Sequence, residues 1–337
     1  MARVTVIVVT WNSAVVLPEC LAALRQQEFK DFVVQVVDNA SSDQTVAVVR
    51  EFYPEARMLT NFRNTGFARA NNQGIALAQG DYVLVLNPDV ALTPAYLARL
   101  VAFADAHPAA GSFCPKLVRR PGGEELQEPA AGDGVVDAAG LCMTRSRAAR
   151  NRGEGERDTG QYVLEEEVFG APGACAFYRR TALAAAAVNG GIFDESFFAY
   201  KEDVDLAWRL QQLGMSCWYV PSAIAYHRRT FRRSNGLHHF SRLPTNVRLM
   251  SWRNYLSLLI KNERRQNFWR DAHHIVPRAL AAALLLVATE PFHWRTLRDW
   301  QTQWPQLLRA RRALAASTVR SPQELRRWFG RARSRQP

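Results

Sequence analysis

Apolar positions in the first hundred residues follow two rhythms. Val4–Val9, Phe32–Val37 and Tyr82–Leu86 are continuous runs rich in β-branched side chains, as in strands buried on both faces of a parallel sheet. Between them the apolar residues recur at helical intervals. These stretches are Val15–Gln27, a segment from a Ser42 cap to about Tyr53, the alanine-rich Phe67–Gln79, and the chain after Thr93-Pro94, where a threonine cap precedes proline at the first helical position. Strand and helix alternate, which predicts an α/β sheet wound on both sides. Ligands of such sheets sit beyond the carboxyl ends of the strands, so Thr10–Asn12, Asp38–Ser41 and Asn87–Asp89 are expected to line one crevice.

From Arg119 to about Asp158 the pattern loosens into Gly, Glu and Arg clusters and reads as a long surface excursion. Order returns at Val168–Arg180, followed by a helix from about Glu202 to Leu213 and a short strand, Ser216–Val220, closed by Pro221. Beyond His227 the composition shifts. Leu249, Trp252, Leu256 and Leu259 recur at helical spacing, with Arg253, Lys261, Arg264 and Arg265 elsewhere on the wheel. The apolar run Ala279–Ala288 is too short for the roughly 20 residues of a membrane-spanning helix. Six of the nine tryptophans lie beyond residue 250, and a basic, tryptophan-bearing amphipathic tail suits a membrane surface. The competing reading packs these helices on the body with their arginines solvated.

Composition sharpens this picture. A chain of 337 residues with 48% hydrophobic and 22% charged content supports one large domain or two modest ones and excludes a disordered chain. Five scattered cysteines without a CxxC pair point to reduced, buried thiols rather than zinc or redox chemistry. The start runs directly into a strand with no cleavage signal, so a cytoplasmic location is expected. The net charge of +12 divides unevenly. Residues 1–225 carry 20 Lys and Arg against 26 Asp and Glu, net −6, while residues 226–337 carry 23 against 5, net +18. The tail therefore has an anionic partner of its own, lipid or nucleic acid, and no recognised nucleic-acid module is visible to favour the second.

Three carboxylates and one histidine carry the chemistry. Asp89 ends a buried strand, and with Thr93 placed to cap the next helix it is available to hold a hard divalent cation against a phosphate. Asp38 ends its own strand, where a carboxylate can accept hydrogen bonds from a base or ribose. On the helix opened by Glu202-Asp203-Val204-Asp205, Asp203 shares a face with Leu206, Ala207 and Leu210 and points inward, while Asp205 is placed to pair outward with Arg209. A carboxylate at a helix N-terminus stays ionised, as a general base must. His227 follows the strand and turn at Pro221, and on spacing alone a lone histidine is more often structural. Neither GxGxxG nor a P-loop occurs, which argues against NAD and Walker-type ATP sites.

Together the blocks VTVIVVTWN, VVDNASSD, NTGFARANNQGIALAQGDYVLVLNPD, GACAFYRR and FDESFFAYKEDVDLAWRLQQLG, then VPSAIAYH, resemble the family 2 glycosyltransferases, in particular their rhamnosyltransferase-like branch, over residues 3–227. The resemblance implies an α/β GT-A fold, with a Rossmann-like nucleotide-binding sheet, a mixed sheet in the acceptor half and a C-terminal basic helical tail. It divides the chain into a catalytic domain at 1–240, with a nucleotide-sugar half to about 115 and an acceptor half from about 116, and a tail at 241–337. It implies that Thr10, Asn12 and Asp38 hold the nucleoside, and that Arg63, Asn64, Gly66 and Asn72 contribute to the base and diphosphate site. Asn-Pro-Asp stands where the usual Asp-x-Asp motif lies, making Asp89 the metal contact and Asn87 a weaker neighbour. His227 becomes a second ligand for Mg²⁺ or Mn²⁺, and Asp203 the general base of an inverting transfer. The Gln-x-x-Arg-Trp motif of processive members is missing, which disfavours a polymerising synthase. The expected reaction moves rhamnose from dTDP-rhamnose to a hydroxyl of a lipid-linked or cell-envelope glycan, with the enzyme peripheral at the inner face of the membrane and no nucleic acid bound. Two other readings stand beside it: a sugar nucleotidyltransferase, which has no need of Asp203, and a non-catalytic nucleic-acid-binding protein using the tail.

Overall fold

The computed structural model describes residues 2–119, 134–228, 244–289, 298 and 300–330. Its strands in chain order are β1 Val4–Thr10, β2 Phe32–Asp38, β3 Arg57–Thr60, β4 Tyr82–Leu86, β5 Val90–Leu92, β6 Ala110–Arg119, β7 Val135–Ala138, β8 Leu141–Met143, β9 Ala149–Asn151, β10 Glu166–Val168, β11 Cys175–Arg179 and β12 Ser216–His227. The helices are α1 Leu17–Arg25, α2 Thr45–Phe52, α3 Phe67–Ala76, α4 Tyr96–Ala106, α5 Arg180–Ala185, α6 Glu202–Gln212, α7 Thr245–Asn262, α8 Arg265–Thr289, α9 Trp304–Ser317 and α10 Pro322–Arg326.

The continuous apolar runs become parallel strands covered on both sides. β1 pairs in parallel with β2 and β4, and β2 with β3. Alternation along each strand then feeds two cores. Val4, Val6 and Val8 pack with Leu84, Leu86 and α1 and α4 on one face, while Ile7, Val9, Val83 and Val85 pack with α3 and α6 on the other. The second half is mixed, as the resemblance implies. Antiparallel β11 lies between β4 and β6, and β12 runs parallel to β6 at the far side.

Several expectations need correction. Pro221 does not close its strand: β12 continues to His227, and its register against β6 slips between Val220 and Ile224. A proline lacks the ladder N–H, so the strand bulges past it rather than ending. The excursion is only partly loop. Residues 120–133 lie outside the described set, but β7 pairs with β6, and β8 and β9 form a hairpin. Thr93 does not cap α4; its hydroxyl donates to the Ile224 carbonyl at 2.9 Å. Ser42 does not cap α2, which starts at Thr45. Four of the five cysteines are buried and all five are free, as read.

The tail shares a core with the body. Leu258 and Phe329 cluster with Leu141, Phe169, Phe197 and Trp208, and fully buried Arg147 pairs with Glu263 at 2.5 Å and Asp271 at 3.0 Å. Of the basic residues placed elsewhere on the wheel of the first tail helix, Lys261 is buried between Asp194 and Asp205. Trp294, one of the six tail tryptophans, lies outside the described residues.

Candidate active site

The carboxyl ends of β1 and β2 are stitched into one polar rim. Thr10 lies opposite Asp38 in the parallel register, and its hydroxyl donates to Asp38 Oδ1 at 2.9 Å. Ser41 donates its backbone N–H to Asp38 Oδ2 and its hydroxyl to Oδ1. Asn12 accepts from the Ser42 N–H at 2.8 Å. Its φ of +49° is a turn conformation that asparagine tolerates. The neighbouring turn is built by a residue not singled out from sequence. Buried Asn39 accepts from Asn61 and Thr65 and donates to the Gly66 carbonyl. Asn64 caps the Gly66 N–H at 2.9 Å, and Arg63 stands exposed beside it. Gly66 has φ +87°, and a Cβ there would come within 2.6 Å of Phe198. Asn72, expected beside the base and diphosphate, instead uses both ends of its amide on the backbone of Phe193, at 2.8 Å each. It ties α3 to the chain leading into α6.

At the end of β4, Asp89 meets His227 because β5 pairs with β12 in a register that sets His227 against Val90. His227 Nε2 stands 3.4 Å from Asp89 Oδ1, and that buried carboxylate oxygen accepts no hydrogen bond. On the other side of the ring, Nδ1 lies 2.8 Å from Asp137 Oδ2, and Arg119 donates to Asp137 Oδ1 at 3.1 Å. Asp137 is fully buried on β7. It is a second residue that sequence reasoning missed, since it falls inside the supposed excursion. Burial pulls the imidazole down, but its hydrogen bond to Asp137 and the nearby Asp89 carboxylate prevail and hold it up at about 9. A hard divalent cation would fit this donor set by displacing the Nε2 proton of His227: one orphaned carboxylate oxygen and an imidazole nitrogen oriented by a carboxylate behind it. Among the described residues no group of three or more His, Cys, Asp or Glu is placed to hold a metal.

Asp203 opens α6. Its Oδ2 accepts from the Gly173 N–H at 2.9 Å and its Oδ1 from the Val204 N–H at 2.8 Å. It is only half buried, so it faces the cleft rather than the core. Asp205 is the inward residue: with Arg209 it forms a fully buried pair joined by Lys261 and Asn262 of α7. The wheel of α6 alone omits α7, which covers the side read as outward.

Glu202 is buried with Oε2 unpartnered. Burial, then the neighbouring Asp203 charge, pushes its carboxyl up to about 8. Glu202 therefore keeps its proton at pH 7. The folded state holds this proton after the unfolded chain has released it, so stability falls as pH rises from about 4.5 to about 8. Glu202→Gln is expected to flatten that decline. Thermal melts at pH 5.5, 7 and 8.5 check this, with the variant gaining relative to the parent at the highest pH.

The segment before α6 is held in an unusual shape. Phe198, Tyr200 and Lys201 have φ of +61°, +69° and +72°, conformations that persist only where surroundings impose them. Asn254 of α7, fully buried, imposes this one by donating to the carbonyls of Phe197, Ala199 and Tyr200, each at 2.9 Å. The two halves of the cleft then meet on consecutive residues: Gly173 N–H holds Asp203, and the Ala174 carbonyl accepts from the Asn87 N–H at 2.8 Å.

Known proteins resemble this chain in sequence and in fold. The sequence profile of glycosyl transferase family 2 matches residues 5–185. The chain is similar to the N-acetylglucosaminyl-diphospho-decaprenol L-rhamnosyltransferase of Mycobacterium tuberculosis, at 31% identity over 234 residues, 66% of this chain and 75% of that protein. A PGL/p-HBAD biosynthesis glycosyltransferase of Mycobacterium bovis is 36% identical over 107 residues, 31% of this chain and 42% of that one. In structure the chain resembles the mannosyltransferase of Pyrobaculum calidifontis, solved with GDP-Man and Mn²⁺. The TM-score is 0.52 at 19% identity, covering 93% of this chain and 87% of the other, which is a likeness of fold.

Proposed function

This chain belongs to glycosyl transferase family 2, and from that premise we propose that it is an inverting rhamnosyltransferase using dTDP-rhamnose. The acceptor is a hydroxyl of a lipid-linked or other cell-envelope glycan. The observation that carries the catalytic reading is the shared anchor: Asp203 and the Asn87-Pro88-Asp89 turn are hydrogen-bonded to the adjacent residues Gly173 and Ala174. A proton acceptor and an anion-binding end are thereby fixed relative to one another, as an in-line displacement requires. The choice of rhamnose and of a lipid-linked acceptor is supported by the mycobacterial relative, an N-acetylglucosaminyl-diphospho-decaprenol L-rhamnosyltransferase.

Thr10, Asn12 and Asp38 receive the nucleoside, and the Arg63–Gly66 turn lies along the diphosphate. Asp89 and His227 would hold Mg²⁺ or Mn²⁺, with Asp137 orienting the imidazole and Asn87 close by. When bound, the cation supplies positive charge that stabilises the departing diphosphate. Asp203 takes the proton of the acceptor hydroxyl as that oxygen bonds to the anomeric carbon. The bond from that carbon to the diphosphate oxygen breaks, and its electron pair leaves with the nucleoside diphosphate, inverting the centre. The catalytic part spans about 1–240. The acceptor's lipid sets the site of work at the inner face of the membrane, where the basic tail meets the surface.

The test is to offer the purified protein a panel of sugar nucleotides with Mn²⁺ and a polyprenyl-diphospho-sugar acceptor. Fastest turnover of dTDP-rhamnose is expected. Turnover of another donor with dTDP-rhamnose inert would overturn the choice of sugar while leaving the mechanism in place.

A further inference from the structure

Helix α8 is amphipathic in the wrong sense for a helix that merely packs. Its inner face is fastened to the protein: Asn267, Asp271, Ile275 and Leu286 are buried. Asp271 pairs with Arg147 at 3.0 Å and Arg326 at 3.3 Å, and the Ala279 carbonyl accepts from the Trp252 indole at 3.4 Å. The opposite face is uncovered and mostly apolar, interrupted by exposed His273 near its start. Trp269, Val276, Leu280, Leu284 and Val287 are 71%, 41%, 57%, 69% and 53% exposed. Their spacing of seven, four, four and three residues keeps all five on one stripe. Only 11% of the most apolar 18-residue window of this helix is buried. Scattered exposed leucines need no explanation, but a continuous stripe of this kind marks an interaction surface.

We infer that this stripe is the protein's membrane-docking face, lying in the plane of an anionic bilayer with its side chains at the headgroup and acyl boundary. The charge around it selects the partner. α8 exposes Arg265 and Arg270 beside the stripe, while Asp271, its one carboxylate, is buried in its pair with Arg147. α9 adds exposed Trp304 and Leu308. A ladder of indoles, Trp252 to Trp300 at 6.4 Å and Trp300 to Trp304 at 5.5 Å, joins it to α7, on which α8 also rests. Aliphatic and tryptophan side chains rimmed by arginine are what interfacial helices present to anionic lipid. The helix does not cross the bilayer, because its inner face stays engaged with Arg147 and Arg326 and that ion pair would have to enter hydrocarbon. The docking face rests on the membrane-surface reading of the tail but not on the sugar chemistry.

The test uses the full-length protein and vesicles without donor or acceptor, so its outcome is separate from that of the catalytic assays. Wild type is compared with a Leu280→Glu, Leu284→Glu double variant, whose changes lie on the outward face. Binding is measured to phosphatidylcholine vesicles and to vesicles of equal parts phosphatidylcholine and phosphatidylglycerol. Moving each leucine out of water is worth about tenfold or more in partitioning, so the double variant is expected to bind anionic vesicles about 10²-fold more weakly. Its thermal melt and donor turnover should match wild type. Raised salt should remove the preference for anionic lipid but leave part of the binding. Equal vesicle binding by wild type and variant, or none by wild type, overturns the inference. So does sedimentation showing a wild-type dimer that the double variant abolishes, since a second copy then covers the stripe.

Discussion

Asp203→Asn is expected to lower the rate of sugar transfer by about 10²–10⁴-fold while leaving donor affinity nearly unchanged. The amide keeps the size of the side chain and its contact with the Val204 N–H but cannot take the acceptor proton, and loss of a positioned base has this magnitude. Single-turnover transfer and calorimetric titration with the nucleoside diphosphate separate the two quantities. Glu202 is the control position: it is buried and holds its own proton at neutral pH, so it does not substitute as base. If Asp203→Asn turned over normally, the base would have to be sought elsewhere on the cleft rim.

Asp89→Ala is expected to reduce turnover on the order of 10²-fold or more, with much of the loss in donor binding, and chelation of divalent metal should abolish activity in the parent. The carboxylate oxygen that stands orphaned in the structure is the one removed. Asp137→Asn, which touches His227 but not the donor, should be milder, about 10- to 100-fold in metal affinity. Titration of Mn²⁺ in the presence of nucleoside diphosphate distinguishes them. Full activity in excess chelator would remove the metal reading.

Much of this cleft was legible in the sequence because parallel strands betray themselves. Val4–Val9, Phe32–Val37 and Tyr82–Leu86 can only be strands covered on both sides, and the residues at their carboxyl ends then share a crevice. What escaped depended on contacts far apart in the chain. Pro221 looked like a strand end, yet β12 bulges past it, and only that continuation delivers His227 to Asp89. Asp137 could not be seen as a partner of His227, 90 residues away, in a stretch whose composition reads as loop. Asp205 was turned the wrong way because helical periodicity does not reveal a second helix lying over the first. Asn254 gave no signal at all: an asparagine amid leucines on a tail helix reveals its role only when three carbonyls before Asp203 converge on it.

The phosphorus spectrum of the complete reaction, with dTDP-rhamnose, Mn²⁺ and lipid-linked acceptor, tests the central claim most directly because it reports which bond is broken. Sugar transfer at this cleft predicts nucleoside diphosphate as the new species, rising in step with glycosylated acceptor and failing to appear with Asp203→Asn. Nucleoside triphosphate and sugar 1-phosphate, formed on adding pyrophosphate and unaffected by Asp203→Asn, would contradict it and identify a nucleotidyltransferase.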